Sequence, residues 1–381
     1  MNAERFPGLR DGWARLDGPA GSQMVDVAIE AMAEWMRSGR SANQHGAFAA
    51  ADASDALVDA ARASAAALLG GDAREIAFGP SMTTLTLAFS AAAGRTLHPG
   101  DEIVCTRLDH DANVRPWLIA AKRAGARVRF AEPDPETLEL PASAFEAVLS
   151  ERTRWVAVTA ASNAVGTVPE LEAIVAAAHA AGAHVYVDAV HAAPHRRLDV
   201  ATIGCDALAC SSYKWFGPHV GVLWARHELL SELEPDKLRP SPDTVPERWE
   251  TGTLPFESLA GVQAAADYVR GLDWDAVHAH EQALLGTALA GLAGIPGVRL
   301  HGAARRRAPT LMFSVDRRTP REVAAALAER EVAVWDGNYY AWELERLLGL
   351  EPDGAVRAGF LHYNGPADVE RLLDGVAGVA G

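Results

Sequence analysis

The chain has 381 residues, of which 49% are hydrophobic and 22% are charged, and its formal net charge is −15. This composition is typical of a globular protein and excludes a disordered or collagen-like chain. Nucleic-acid binders carry basic surfaces, so the acidic balance argues against a nucleic-acid partner. No apolar run reaches the ~18 residues of a membrane span, and the N-terminus lacks the apolar stretch of a signal peptide. We therefore expect a cytoplasmic protein without membrane contact.

The cysteines argue against a disulfide framework and a structural zinc site. Cys105, Cys205 and Cys210 are an odd number and form no CxxC spacing. The P-loop, the HExxH motif and a GxGxxG following a strand do not occur in the sequence either. The nucleotide and zinc sites that those motifs build have no support, and we expect no metal ligands.

The spacing of apolar residues predicts two helices first, over residues 24–39 and 52–69. Short apolar runs then alternate with helical patterns. These runs predict strands over residues 75–79, 101–107, 126–132, 155–162, 184–190, 205–212 and 221–227. Continuous apolar runs are typical of buried parallel strands, and their alternation with helices indicates βαβ units. The sequence therefore predicts an α/β fold with a mostly parallel sheet flanked by helices.

A Pro-rich, polar segment at residues 235–257 interrupts this pattern. Two long helical patterns follow it, and short strands and helices continue to the end of the chain. We expect a large domain over residues 21–257 and a smaller α+β domain over residues 258–381. We expect residues 1–20 to pack with the smaller domain.

Polar residues follow several of the predicted strands. Ligands of open α/β sheets bind at the carboxyl ends of the strands, so these residues are site candidates. The turn Ser81-Met82-Thr83 opens a helix, whose free N–H groups and dipole suit an anion, although Ser81 alone also reads as a helix cap. Each of the other site candidates, taken alone, is typical of a turn or core residue. They are His110, Asn163, Asp188, His191, Ser211, Tyr213 and Lys214.

Lys214 differs from the other two lysines, Lys122 and Lys237, because it stands at a strand end, after two serines and before two aromatic residues. Such a partly apolar setting lowers the pKa of a lysine and makes it a useful nucleophile. A lysine, an acid, an anion-binding helix end and a flat ring are together what pyridoxal phosphate chemistry requires. The sequence therefore predicts a pyridoxal phosphate site that includes Lys214.

The chain resembles the class V aminotransferase group of fold-type I pyridoxal phosphate enzymes, and within it the cysteine desulfurase and selenocysteine lyase branch. The likeness runs from residue 16 to residue 359 and includes the motifs LDHDAN, SNAVGT, VYVDAVH and SSYKWFGP. It implies a PLP-dependent enzyme that acts on a small α-amino acid and forms a homodimer with shared active sites.

The resemblance also implies how the cofactor is held. Lys214 matches the Schiff-base lysine, Asp188 the partner of the pyridine nitrogen, and His110 the histidine that stacks on the cofactor ring. Asn163 and His191 match residues near the phenolic oxygen, His191 where the family often has glutamine. The matches to phosphate ligands are Ser81, Met82, Thr83, Ser211, Tyr213 in place of the usual histidine, and Thr253, which reaches the phosphate of the neighbouring subunit.

For the substrate, Arg357 matches the arginine that binds the carboxylate, since a guanidinium fits a carboxylate bidentately. Asn43 and His45 lie in a segment that resembles an active-site loop. True desulfurases carry a sulfur-accepting cysteine on a mobile loop ahead of that arginine. Here the stretch over residues 333–359 contains no cysteine, and Tyr340 stands at the cysteine's place. We therefore expect a C–S lyase that works by β-elimination, with Tyr340 and its neighbours shaping the substrate pocket.

Three alternatives remain open at this point. The first is an aminotransferase or epimerase with the same cofactor. The second is a non-catalytic family member that acts by binding. The third is a metal-dependent hydrolase, because the chain offers enough ligand types for a divalent metal. Those ligands would be Asp109, His110, Asp111, Asp188, His191 and His195.

Overall fold

The computed structural model of the protein describes residues 2–381. Its strands are β1 (Ala14–Arg15), β2 (Ile76–Gly79), β3 (Glu102–Thr106), β4 (Arg127–Ala131), β5 (Thr153–Thr159), β6 (His184–Asp188), β7 (Ala207–Ser211), β8 (Gly221–Ala225), β9 (Val298–His301), β10 (Thr310–Val315), β11 (Val332–Ala333), β12 (Trp335–Gly337) and β13 (Ala355–Gly359). Its helices are α1 (Asp26–Arg37), α2 (Ala49–Leu69), α3 (Met82–Gly94), α4 (Arg115–Ala124), α5 (Ala142–Glu146), α6 (Leu171–Ala180), α7 (Val200–Ile203), α8 (His227–Glu232), α9 (Phe256–Arg270), α10 (Trp274–Ala293), α11 (Pro320–Ala328), α12 (Trp342–Leu348) and α13 (Pro366–Ala380).

The large sheet has seven strands in the order β2-β8-β7-β6-β5-β3-β4. Six strands run parallel to one another, and β8 is antiparallel to both of its neighbours. The connection from β7 to β8 spans only residues 212–220, which is too short for the crossover that a parallel pair needs. The prediction of a mostly parallel sheet is confirmed, and the short connection explains why one strand runs against the others.

Helices cover both faces of this sheet, so its strands are buried on both sides. In β6, Val185 and Val187 belong to one core layer, and Tyr186 between them belongs to the other. The first layer includes side chains of α1, α2, α6 and α9, and the second includes those of α3, α4 and α8. The alternation follows from the period of two in a strand.

The C-terminal part of the chain forms a four-stranded antiparallel sheet in the order β12-β13-β10-β9. Helices α10, α11 and α13 pack against it around a third core that includes Leu285, Phe313 and Val376. The N-terminal segment joins this part, because β1 pairs with β11 and the amide of Gly359 donates to the carbonyl of Leu16 at 2.9 Å. Helix α9 packs on α1 and α2, and the domain boundary at residue 258 stays a prediction.

No helix within residues 2–381 is both long enough and apolar enough to cross a membrane.

Candidate active site

The carboxyl ends of β2, β5, β6 and β7 meet at one edge of the large sheet, where they surround a cavity of about 80 Å³. Parallel strands bring their ends together at such an edge. Many of the predicted site residues line this cavity: Ser81, Met82, Thr83, His110, Asn163, Asp188, His191, Ser211, Tyr213 and Lys214. The structure thus collects residues that are up to 133 positions apart in the sequence, from Ser81 to Lys214.

Lys214 ends a one-turn 3-10 helix after β7 and is buried. Its Nζ donates to the carbonyl oxygen of Pro19 and lies 5.3 Å from the centre of the Tyr213 ring. Burial is the main cause that lowers the pKa of this amine to about 7, and the positive charge of Arg357 acts in the same direction. A large fraction of the amine is therefore neutral and nucleophilic near neutral pH.

Asp188 is the last residue of β6 and is buried. Its Oδ1 accepts a hydrogen bond from the amide of Val190 at 2.9 Å. Burial raises the pKa of this carboxyl to about 6, while the Val190 amide and the charge of Lys214 act in the opposite direction. The carboxyl group is still mainly ionised at neutral pH. A positively charged partner in the cavity would lower its pKa and so stabilise the ionised form.

His110 presents a neutral ring to the cavity. Its Nδ1 accepts from the amide of Ala112 at 3.0 Å, so the ring proton resides on Nε2. Burial, with the charges of Lys214 and Arg357, lowers the pKa of His110 to about 4. The ring also stacks on Tyr340, with 5.2 Å between the ring centres and 24° between the planes. A flat, uncharged ring in this position can stack on an aromatic ligand.

The turn between β2 and α3 is the predicted anion cradle. Ser81 is the N-cap of α3, and its Oγ accepts from the amide of Thr84 at 3.2 Å. The amide of Met82 donates to Oγ of Ser211 at 2.9 Å. A Cβ atom on Gly221 would lie 2.3 Å from the carbonyl carbon of Ser81, so only glycine lets β8 pass so close to the turn. This geometry is compatible with Ser81 as a helix cap and also with Ser81 as part of an anion-binding turn.

His191 and Asn163 line the side of the cavity that faces the C-terminal sheet. Nε2 of His191 is 2.8 Å from Oγ1 of Thr310, and burial keeps the pKa of this imidazole well below its usual value. Nδ2 of Asn163 donates to the carbonyl of Tyr339 at 2.9 Å. The Oδ1 atom of Asn163 is buried without a hydrogen-bond partner among residues 2–381, which leaves an acceptor for a ligand.

Arg357 lies in β13, is 4% exposed and does not itself line the cavity. Its Nη1 donates to the carbonyl of Asn163 at 2.8 Å, and the ring of Tyr339 covers the guanidinium at 4.3 Å. Within residues 2–381, Nε and Nη2 have no acceptor. Burial lowers the pKa of Arg357 to about 10, so the group is charged at neutral pH and offers one free edge to a carboxylate.

The segment over residues 338–341 holds Tyr339 and Tyr340 against the large sheet. Both tyrosines have left-handed backbone angles, with φ of 54° and 59°. The amide of Asp111 donates to the carbonyl of Tyr340 at 2.7 Å, and Tyr339 OH donates to the carbonyl of Ala355. The Tyr340 ring stays 70% exposed while it stacks on His110. This turn is pinned to the active-site edge at several points.

Three predicted residues lie away from the cavity on exposed loops. The His45 ring is 3.2 Å from the carboxylate of Asp55, and Asn43 lies two residues before it. Thr253 lies within the polar segment at residues 235–257 and is exposed. Their roles stay predictions, and that of Thr253 requires a second subunit.

Asp109 is a buried acid beside the cavity, and the sequence suggests for it only the role of a metal ligand. Asp109 accepts from Oγ1 of Thr106 and from Nδ2 of Asn113 at 2.6 Å, and burial raises its pKa to about 8. In the sequence, only the spacing between Asp109 and Asn113 in LDHDAN indicates that these two side chains form a hydrogen bond. No group of His, Cys, Asp and Glu within residues 2–381 could hold a metal ion, so the structure gives the hydrolase alternative no support.

The donor set fits pyridoxal phosphate. The turn before α3 suits the phosphate, the Asp188 carboxylate suits a protonated pyridine nitrogen, and the free Oδ1 of Asn163 can accept from an oxygen substituent. The amine of Lys214 lies at the same cavity with a pKa near neutrality. These are the groups through which proteins bind and tune this cofactor.

Comparison with known proteins identifies the family of the chain. The family model described as "Aminotransferase class-V" matches residues 14–372. The chain is 34% identical to a probable cysteine desulfurase of Mycobacterium leprae over 96% of its own length and 61% of the relative's, and 32% identical to the cysteine desulfurase of Dickeya dadantii over 95% and 91%. Its fold matches the crystal structure of the cysteine desulfurase CsdA from Escherichia coli with a TM-score of 0.90, at 28% identity and over 99% and 98% of the two chains. The fold is therefore that of the fold-type I pyridoxal phosphate enzymes, and the chain belongs to the class V aminotransferase family as a cysteine desulfurase-like enzyme that uses pyridoxal phosphate.

Proposed function

We propose that the protein is a pyridoxal phosphate-dependent C–S lyase that removes sulfur from a small α-amino acid by β-elimination, without a persulfide on a loop cysteine. The observation that carries this proposal is the turn at residues 338–341. Where desulfurases of this branch carry a cysteine on a mobile loop, this chain has Tyr340, stacked on His110 and pinned through its carbonyl by Asp111.

The chain's own cysteines cannot replace the missing one. Cys105 lies in β3, Cys210 in β7 and Cys205 just before β7, and all three are 0% exposed. Burial raises the pKa of the Cys205 and Cys210 thiols to about 12 and that of Cys105 well above its usual value. Since the thiolate is the reactive form, none of them is placed to accept sulfur from a substrate.

The remaining roles follow from the site geometry. The cofactor would be held by Lys214 through its amine, by Asp188 at the pyridine nitrogen, by the Ser81 turn at the phosphate and by His110 against the ring. When bound, it supplies an electron sink that stabilises negative charge at the substrate's α-carbon.

The free edge of Arg357, made of Nε and Nη2, binds the substrate carboxylate. Nζ of Lys214 takes the α-proton, since its pKa of about 7 lets it act as a base near neutral pH. The bond between Cβ and sulfur then breaks, and the electron pair leaves with sulfur. We expect the Tyr339–Tyr340 turn, which lies against Arg357 and His110, to shape the substrate pocket.

Product analysis tests this function. The cofactor-loaded enzyme is incubated with cysteine, with selenocysteine and with alanine, and the products are assayed. β-Elimination from cysteine releases sulfide, ammonia and pyruvate in equal amounts. Alanine as the carbon product would contradict elimination and indicate sulfur transfer to an external thiol. Transfer of the amino group to an added 2-oxo acid, or racemisation of alanine, would favour the aminotransferase or epimerase alternative.

We also propose a homodimer in which Thr253 reaches the phosphate site of the neighbouring subunit. Its support is the exposure of Thr253, away from the cavity of its own chain, together with the family match. Light scattering coupled to size exclusion should give twice the mass of 40.4 kDa. A dimeric Thr253→Ala variant with unchanged cofactor affinity would remove this residue from the site.

A further inference from the structure

A second cavity, of about 330 Å³, adjoins the cofactor site, and Ala161 lines both. His195 lines this second cavity, and its ring centre is 5.2 Å from that of His191, which lines the first. The volume is within the range of pockets that hold small molecules. The walls come from the loops after β5 and β6, from the N-terminal half of α10, and from the segment that precedes β10.

The lining of this cavity is strongly basic, although the whole chain carries a net charge of −15. Four arginines line it: Arg196, Arg305, Arg306 and Arg307. The side chain of Arg305 pairs with Glu139 at 3.1 Å. Arg307 donates from Nη2 to the carbonyl of Thr310 at 3.0 Å, a bond that ties it to the fold.

Arg196 and Arg306 are the other two arginines that line the cavity. Neither has a side-chain hydrogen bond or an ion pair in the part of the chain that the structure describes. Arg196 is partly buried, and burial, together with the nearby charge of Arg306, lowers its pKa. The opposing charge of Glu172 is not within ion-pair distance. Arg196 is therefore a positive charge partly withdrawn from water beside the like charge of Arg306, and a bound anion would offset both effects.

The backbone that carries Arg306 is held rigidly. The amide of Val168 donates to the carbonyl of Arg306 at 2.9 Å, and the amide of Ala308 donates to the carbonyl of Gly166 at 2.8 Å. Gly166 has φ of +77°, and a Cβ atom there would lie 2.5 Å from the carbonyl oxygen of Ala308. Only glycine allows this approach, so the arginine segment is preorganised rather than a free loop.

Glu281 limits where an anion can lie. It is the acidic residue in the lining, is 1% exposed, and pairs with Nδ1 of His195 at 3.0 Å. Its negative charge repels an anion from the inner end of the cavity. Arg306 is exposed and Arg196 half-buried, so both lie toward the outer end.

We propose that this second cavity binds a small oxyanion, carried by a phosphate or a carboxylate group, between the guanidinium groups of Arg196 and Arg306. Both groups present planar N–H donors that match such oxygens bidentately. The proposed site is separate from the phosphate cradle before α3 and does not depend on the reaction that the enzyme catalyses.

Calorimetric titration of the full-length, cofactor-loaded protein tests the proposal. Inorganic phosphate and succinate are titrated separately in a buffer without other oxyanions. The ligand that binds more tightly shows whether the site prefers a phosphate or a carboxylate group. We expect saturable binding of at least one of them to the unmodified protein. Because each charge-assisted contact contributes more than about 1.4 kcal/mol, Arg196→Gln and Arg306→Gln should each weaken binding by about tenfold or more.

Arg197→Gln is the matched control, because Arg197 is the exposed neighbour of Arg196 and does not line the cavity. It should bind the anion as the unmodified protein does. Arg306 is exposed, so its replacement should leave the melting temperature unchanged and keep the test valid if Arg196→Gln fails to fold. Absence of saturable binding for both anions would overturn the proposal. So would unchanged affinity in Arg306→Gln.

Discussion

Replacing Arg357 should separate binding of the substrate carboxylate from every other function of the site. The free edge of this guanidinium offers two donors, Nε and Nη2, to a carboxylate. A hydrogen bond to a charged group contributes about 1.5–3 kcal/mol, so two lost bonds amount to about 3 kcal/mol at the lower end. Since each ~1.4 kcal/mol is tenfold, Arg357→Ala should lower kcat/KM by roughly 10² or more. Arg357→Lys should also be impaired, because an ammonium cannot reproduce the planar fork.

The assay compares the amino acid with its amide. If Arg357 binds the carboxylate, the variants lose activity on the acid and are little changed on the amide. Arg62→Lys is a matched control, since Arg62 is also a buried arginine but pairs with Glu250 at 2.7 Å, away from the cavity. We expect that control to lower the melting temperature and to affect acid and amide alike. Equal losses on both substrates in the Arg357 variants would refute the carboxylate role.

Four further predictions concern the cofactor site and the cysteines. Acylation of Lys214 in the cofactor-free protein should rise with pH and be half-maximal near pH 7, because burial lowers the pKa of this amine and only its neutral form reacts; a midpoint near 10 would contradict that environment. Borohydride reduction of the loaded enzyme should label Lys214, and label on another lysine would move the assignment. Asp188→Ala should lose cofactor on dialysis, since removing one partner of a buried ion pair costs ~3–5 kcal/mol; retention with normal turnover would exclude its role. Replacing Cys105, Cys205 and Cys210 by Ala should leave the turnover rate largely intact, and loss of turnover in a variant with normal cofactor content and melting temperature would contradict the elimination mechanism.

The sequence predicts which residues gather at the cavity because that cavity depends on strand ends. Asp188, Ser211 and Lys214 each follow a recognisable apolar run, and the sheet edge that gathers them is a general property of the fold. Pairings across the fold are different. The cover of Tyr339 over Arg357 joins residues from a turn and a strand, and no spacing predicts their contact.

The helices and strands, like the strand ends at the cavity, follow from local patterns, whereas contacts between distant loops do not. The helix predicted over residues 24–39 spans Asp26–Arg37, and the strand predicted over 205–212 spans Ala207–Ser211. Local apolar patterns suffice for such elements. The basic cavity was missed because Arg196 and Arg306 come from loops 110 positions apart, and each looks like an ordinary surface arginine in the sequence.

The N-terminal segment bears on the order in which a ribosome could complete this site. Ala14 and Leu16 need β11 and Gly359 as hydrogen-bonding partners, and these are made more than 300 residues later. Pro19, next along the segment, supplies the carbonyl that meets Nζ of Lys214. The N-terminal segment is synthesised first, but it can be fixed beside Lys214 only after β13, which is almost the last strand, has been synthesised. A nascent chain that ends between residues 214 and 359 would contain Lys214, Asp188 and His110 but lack a fixed partner for that amine.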